Sequence, residues 1–361
     1  MEFALSEEQR MLQDTVDRFL TDASELDTVR KSAEAHEAFS KTIWTGFAEL
    51  GVAGILIPEE HGGLGLGMLE AALMSEMTGR HVAPIPFVGT AVMAPLALTL
   101  AGSDEQKAAW LPRLASGDIV AGVAVTETIS ARDGAGVSSQ GDALSGSALF
   151  VIDGPGADLF IVADKEGALF LVEASATGLE RIDLTTIDLT RPVSELRFEN
   201  VSAERLPNGS PAVVQQMIDA GRTMIAADTL GAGQMMIEKA VDYAKERQQF
   251  GRVIGSFQAV KHLCAEMAAE LEPCRSLVWY AAYAQDAIPE EGALMSCHAK
   301  AHLSEVGRFV ARTSTEVHGG MGFTDLVGLH YWFKRIGLDR QLLGGPERVR
   351  EEAARLQGWA A

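Results

Sequence analysis

The order of hydrophobic patterns along the chain restricts its fold more tightly than any single motif. Apolar residues recur at three- and four-residue spacing in "EAFSKTIWTGFAELGVAG", "MLEAALMSEMTGRH" and "DEQKAAWLPRLASG", which predicts a helical domain over residues 1–118. From residue 119 the texture changes to short β-branched runs separated by Gly, Asp, Pro and Ser, as in "GDIVAGVAVTE" and "PVSELRFENVSAERL", which predicts a small sheet domain over 119–206. A second helical block over 207–361 opens at "SPAVV", where Ser210 is placed to cap a helix and Pro211 stands at its first position. Helices, then strands, then helices, without strand and helix alternation, define an α+β chain and exclude a doubly wound sheet.

That order disposes of a decoy. "GILIPEEHGGLGLGMLEAAL" sets glycines between an apolar run and a helix, yet it lacks GxGxxG spacing after a strand, and its acidic "PEEH" would repel a pyrophosphate. A glycine-rich turn between helices is the better account.

The chain has 361 residues, 47% of them hydrophobic and 22% charged, enough for two or three domains with a sizeable core. A formal charge of −20 argues against grip on nucleic acid or an anionic membrane, since both require clustered Lys and Arg. The N-terminus "MEFALSEEQRMLQDTVDRFL" reads as an acidic amphipathic helix without a signal peptide's basic and apolar regions. With no membrane-length apolar run, the cytoplasm is the expected location. Cys264, Cys274 and Cys297 lack CxxC spacing and read as buried thiols. His298 and His302 have the spacing that chelates a metal from one helix face, but without an acidic ligand motif they read as a solvated face.

One stretch, "ERQQFGRVIGSFQ" (246–258), stops a long run of helix formers at a glycine, with Arg247 before it and with Phe250 and Gln258, both expected to be buried, around it. Taken with "IPEEHGGLGLG" (57–67), "AVTE" (124–127), "LSGSALFVIDGPGADLFIV" (144–162) and "VHGGMGF" (317–323), it resembles the acyl-CoA dehydrogenase family in sequence and spacing over nearly the whole chain. The resemblance implies the acyl-CoA dehydrogenase fold, with an N-terminal helical domain, a central β-sheet domain and a C-terminal four-helix bundle. It further implies FAD as cofactor and oxidation of the Cα–Cβ bond of an acyl-CoA thioester. That chemistry needs a carboxylate to take the α-proton while the β-hydrogen leaves as hydride, so base and flavin must face opposite sides of two carbons.

In the family, FAD lies across a subunit interface. By resemblance Arg247, Phe250 and Gln258 serve the adenine and pyrophosphate half of the neighbour's cofactor, with Arg247 as a fixed fork of donors. Gly251 lets the chain turn, and Gly319 and Gly320 let backbone approach the same cofactor. Glu316 stands where many relatives carry Gln, and a carboxylate there is repelled by pyrophosphate unless Arg247 or protonation offsets it. His318 reads as a packing or cofactor-adjacent residue. Thr126 either reaches a flavin carbonyl or caps a strand end.

The other half of the template is depleted. The two positions at which relatives keep the catalytic base are Gly221, followed by a retained Arg222, and Gly344. Asp219 and Glu347 are displaced from them by two or three residues, which on a helix turns a side chain to another face. Arg132 replaces a serine near CoA, Ile152 replaces a threonine near flavin N5, and Phe150 keeps the aromatic that covers the ring.

Losses confined to the ring and substrate half imply a non-catalytic subunit that completes FAD sites on an unlike acyl-CoA dehydrogenase partner. The resemblance to heterotetrameric (α2β2) enzymes of bacterial steroid side-chain breakdown makes a bulky acyl-CoA the expected substrate of the complex and an electron-transferring flavoprotein its acceptor. A homo-oligomeric dehydrogenase with a relocated base, and a flavin-free binding or scaffold protein on the same fold, are the alternatives.

Overall fold

A computed structural model describes residues 4–130 and 132–360. Residues 1–3 of the expected N-terminal helix, Ala131 of "TETISARD" and the final residue lie outside the described residues.

The N-terminal domain comprises α1 (Glu7–Ala23), α2 (Leu26–Glu34), α3 (Lys41–Glu49), α4 (Met68–Arg80), α5 (Ala94–Ala101) and α6 (Asp104–Ala115). A capping box starts α1: Gln9 N donates to Ser6 Oγ at 3.1 Å, and Ser6 N donates to Gln9 Oε1 at 2.9 Å. The "EEHGG" stretch is a turn: Glu59–His61 form one 3-10 turn that ends at Gly62, φ +83°.

The middle of the chain carries β1 (Ala121–Ala124), the single-turn α7 (Thr126–Ile129), and β2 (Gly136–Gln140) through β8: β3 (Ala143–Val151), β4 (Leu159–Ala163), β5 (Leu169–Glu173), β6 (Leu179–Asp183), β7 (Ser194–Ser202) and β8 (Glu204–Arg205). They form two four-stranded sheets, ordered β1-β4-β5-β8 and β2-β3-β7-β6. Only β1 and β4 run parallel, and Phe160, Phe170, Leu196 and Phe198 fill a core of this region's own.

Ser210 starts α8 (Pro211–Glu246) as expected, its hydroxyl accepting from Val213 N at 3.5 Å. With α9 (Gln258–Ala287), α10 (Pro289–His318) and α11 (Leu329–Asp339) this helix makes the four-helix bundle, and α12 (Pro346–Leu356) packs outside it. Helix α8 is apolar on nearly every side because α4, α9, α10 and α11 all pack on it. Two glycines bring α4 and α8 together: a Cβ at Gly79 would overlap the Asp228 carbonyl, and one at Gly231 would overlap the Glu76 carbonyl.

Beside this crossing lies a dry ionic cluster joining all three regions. Asp228 of α8 takes Nη2 of Arg191 at 2.7 Å and both Nε and Nη2 of Arg335 at 2.8 and 2.7 Å, and Asp339 closes on Arg191. Thr78 Oγ1 donates to Asp228 at 2.9 Å from α4. All four ionic groups are buried.

Helix α8 ends where a hairpin begins. Strands β9 (Gln248–Gln249) and β10 (Arg252–Val253) pair across a two-residue loop, Phe250 and Gly251, at φ +52° and +78°. Two left-handed residues match the twist of the flanking strands. The expectation that Phe250 and Gln258 are buried is corrected: Phe250 is 91% exposed at the tip and Gln258 is exposed at the start of α9, because the hairpin projects away from its own bundle. Cys274 and Cys297 are buried, whereas Cys264 is only half-buried. His298 is half-buried and His302 exposed on α10.

Candidate functional site

Three cavities surround the residues singled out in the sequence. The first, about 430 Å³, lies between the end of α8, the hairpin and the end of α10, and its lining includes Arg247, His318, Gly319 and Gly320. Arg247 is exposed and pairs with no carboxylate among the described residues. Gly319 adopts φ +58°, and a Cβ on either Gly319 or Gly320 would meet nothing within 4 Å, so backbone there stays open to approach from outside. The His318 ring stacks on Tyr243, centroids 4.7 Å apart, and its Nδ1–H donates to Ser314 O at 2.8 Å. Burial holds this imidazole below its ordinary pKa, in the neutral form. Thus Arg247, Gly319 and Gly320 come together, while Phe250, Gln258 and an exposed Glu316 do not line the cavity.

The short 3-10 segment Gly319–Phe323 divides that cavity from a second, of about 550 Å³, lined by Phe150, Ile187, Phe323, Phe333 and Leu338 with few polar groups among them. Phe150 is held at φ +53°, strain characteristic of a functional wall. Thr126 stands at this wall, but its hydroxyl donates to Phe150 O at 3.2 Å, the strand-end role. Ile152 is buried and paired with Val123. The aromatic wall is present, while the Thr126 hydroxyl is spent on Phe150 O, that of Thr315 in the same lining donates to Ala311 O at 2.8 Å, and Ile152 has none.

The third cavity, about 690 Å³, lies between the sheets and the helices α8 and α12. Both expected base positions adjoin its floor: the space before Gly221 is filled, and Gly344 faces Arg222. A Cβ on Gly221 would collide with Leu343 Cδ1 and lie 2.8 Å from Met93 Sδ. Gly344, at φ +103°, offers its notional Cβ 3.6 Å from Arg222 Nη2 and 3.7 Å from Ile129 Cγ2. Arg222 is wholly buried: Nε donates to Leu343 O at 3.0 Å, while Nη1 and Nη2 fork onto Glu352 at 2.9 and 2.7 Å. Burial alone would raise the Glu352 pKa, but the Arg222 fork outweighs it and pulls the carboxyl below its usual value.

Neither displaced carboxylate lines this cavity. Asp219 accepts from Gln215 at 3.0 Å and Ser296 at 2.9 Å, and burial pushes its pKa up to about 6. Glu347 is exposed and accepts from Arg340 at 3.1 Å. Arg132, the basic group near the expected CoA position, is folded onto Glu127 at 3.1 Å.

The composition of α12, rich in Glu and Arg at pairing distances, is that of a solvated helix. Arg355 does reach Glu351 at 2.5 Å, but Glu352 turns inward and is the functional-site residue that the sequence reading missed. The available signal was spacing: Val349, Glu352, Ala353 and Leu356 share one helix face.

Comparison with known proteins places these features. The family models described as "Acyl-CoA dehydrogenase, N-terminal domain" and "Acyl-CoA dehydrogenase, C-terminal domain" match residues 6–118 and 209–356. A structure of a variant of the Tcur3481-Tcur3483 steroid ACAD is 31% identical, covers 98% of each chain and superposes with a TM-score of 0.87. The ChsE4-ChsE5 complex from Mycobacterium tuberculosis is 26% identical over 100% of both chains, with a TM-score of 0.92. The acyl-CoA dehydrogenase IpdE2 of Mycolicibacterium smegmatis is 28% identical over 356 residues, 98% of this chain and 99% of its own.

Proposed function

The chain belongs to the acyl-CoA dehydrogenase family of FAD-dependent oxidoreductases acting on acyl-CoA, and on that premise we propose that it is the non-catalytic member of an unlike pair. The observation that carries this reading is the absence of a carboxylate at either base position: Leu343 and Met93 fill the space before Gly221, and Gly344 faces a guanidinium already neutralised from within the chain. Of the carboxylates that line the cavity, Glu352 is held by Arg222, Glu127 by Arg132 and Asp164 by Ser139 and two backbone amides, and the exposed Glu166 sits on the β4–β5 turn rather than at either base position.

The cavity beside Arg247 fits the nucleotide end of FAD. An exposed cation without an intrachain counterion and a bare glycine backbone suit a pyrophosphate brought by another chain. The apolar groove fits the ring end poorly, since Thr126 is spent on Phe150 O and Ile152 presents no hydroxyl. FAD, when bound, supplies the hydride acceptor. In this reading Arg247 orients the pyrophosphate, Gly319 and Gly320 allow close approach, and Phe250, exposed at the hairpin tip, packs against what the partner brings. Gln258 and Glu316 border that contact.

The reaction of the assembled enzyme is α,β-desaturation of an acyl-CoA, with electrons leaving to an electron-transferring flavoprotein. Steroid side-chain thioesters are the substrate class favoured by similarity to a protein described as a steroid ACAD. A homo-oligomer with a relocated base is disfavoured because Glu352, the carboxylate beside Arg222 that does line the cavity, is held ionised in a fork.

Co-expression with an unlike family member tests the proposal. About one FAD per two chains is expected in the purified complex, with little flavin on this chain alone. A full complement in the isolated chain, reduced on adding an acyl-CoA, overturns it.

A further inference from the structure

Helix α12 is attached to the molecule lightly. Its buried residues are Pro346, Val349 and Ala353, and the last two join Cys297, Ala301 and the half-buried Leu294 in a small cluster separate from the main core. The helix begins after Gly344 and Gly345, and Gly344 is in the left-handed region that glycine enters without strain. Beneath it lies the 690 Å³ cavity. Polar ties hold it across that space, among them Arg348 Nη2 donating to Ile129 O at 2.9 Å and Glu352 receiving the Arg222 fork with Gln215 Nε2 adding a bond at 3.0 Å, and at its start Glu347 accepts from Arg340 at 3.1 Å.

Arg222 has almost no donor left over. Nε goes to Leu343 O, Nη1 is shared between Glu352 and Cys297 Sγ at 3.5 Å, and Nη2 is committed to Glu352. Asp219 stands 3.7 Å from Nη1 on the other side. Nothing arriving in the cavity can engage this guanidinium unless Glu352 leaves it.

We propose that α12 is a strap hinged at Gly344–Gly345 and latched by Glu352, which occupies from within the chain the place an anionic ligand would take on Arg222. The latch is an autoinhibitory contact. With Glu352 in place the cavity is closed to carboxylate and phosphate groups at its floor; with the latch released, α12 swings away and Arg222 becomes an anion site. A small satellite core cannot hold the helix by itself, so the ion pair decides its position.

The test uses the full chain. Hydrogen exchange over α8, α10 and α12 compares the native protein with Glu352→Gln and with Glu351→Gln, which removes an exposed carboxylate one position away. A latch gives at least tenfold faster exchange across α12 in Glu352→Gln, with α8 and α10 unchanged and Glu351→Gln like native. Equal protection of α12 in all three proteins, or a loss spread evenly over the three helices, overturns the proposal. Melting in potassium phosphate against potassium chloride at equal ionic strength reads the shielding of Arg222. Phosphate raises the Tm of Glu352→Gln and leaves the native Tm unmoved; the same response in both proteins refutes it.

Discussion

Leu343 fills the space in front of Gly221, so the position at which a subgroup of relatives carries its base has become part of the core. Gly221→Glu would place a carboxylate against Leu343 Cδ1 and Met93 Sδ in a wholly buried turn of α8. Overpacking and burial of a charge are expected to cost about 4 kcal/mol or more. Gly344→Glu has room, its nearest notional contact being Val349 Cγ2 at 3.2 Å, and its cost is the left-handed φ, about 1–3 kcal/mol. Urea denaturation of the two variants should therefore separate them widely. Neither should dehydrogenate an acyl-CoA in the isolated chain, which on the reading proposed above retains little flavin.

Asp228 neutralises two buried guanidiniums from different regions of the chain, Arg191 before β7 and Arg335 on α11. Asp228→Asn leaves Arg191 and Arg335 without their shared carboxylate, with Asp339, Asp188 and Asp153 as the negative groups still around them, and removing one partner of a buried ionic cluster costs about 3–5 kcal/mol. A fall in the urea midpoint of less than a quarter of the native value would mean that water enters the cluster and the charges are not dry.

The exposed Arg247 side chain makes no hydrogen bond or ion pair among the described residues, its chain ties being backbone bonds to Tyr243 and Ile254, so Arg247→Ala should leave thermal stability unchanged within about 0.5 kcal/mol. Its effect should appear only in a complex with a family partner. Loss of a charge-assisted bond to pyrophosphate, about 1.5–3 kcal/mol, corresponds to roughly 10–100-fold weaker flavin retention. Flavin absorbance of the dialysed complex is the measurement, and undiminished retention would remove Arg247 from the cofactor site.

Much of this architecture was legible because each pattern is local. Period-3.6 stripes, β-branched runs and the Ser-Pro start of α8 report the chain's own backbone preferences, and they name the fold class directly. The convergence of Arg247 with Gly319 and Gly320 was legible only through motif order, since 72 residues, 248–319, separate the outer two. Phe250 and Gln258 were misplaced because exposure of a hairpin tip depends on what lies beyond the chain, which no periodicity encodes. Glu352 was missed for the opposite reason: charge composition suggested a solvated helix, whereas its place beside Val349 and Ala353 turns it toward Arg222. The Asp228 cluster joins residues up to 148 apart in sequence, and a buried ion pair has no local signature.

Two buried carboxyls contribute to the pH dependence of stability, in the same direction as Glu76, Asp286 and Asp339, which burial also raises, and against His81, His318 and His330, which burial lowers. Asp153 accepts from Gly89 N at 2.6 Å and Thr90 N at 3.1 Å, yet burial pushes its pKa up to about 6, against the pull of Arg191 and those amides. Burial likewise raises Asp219 to about 6 despite Arg222, Gln215 and Ser296. A folded pKa above the unfolded value of 3.8 means that the native state binds the proton more tightly, so each group's stabilisation is complete below that value and is lost as pH rises through 6. The difference, 6 − 3.8, corresponds to about 3 kcal/mol per group. Glu238 and Glu352 oppose this at the acid end: their arginine partners outweigh burial and lower both pKa values, so their stabilisation fails as pH falls below the ordinary glutamate range. Stability should therefore rise as pH is lowered from 7.5 toward 5 and decline below about 4. Asp219→Asn retains an acceptor for Ser296 while removing one titration, and should remove roughly half of what the two carboxyls contribute to the slope between pH 5 and 7. Melting temperatures across that range read it directly, and an unchanged slope in the variant would show that Asp219 stays ionised throughout.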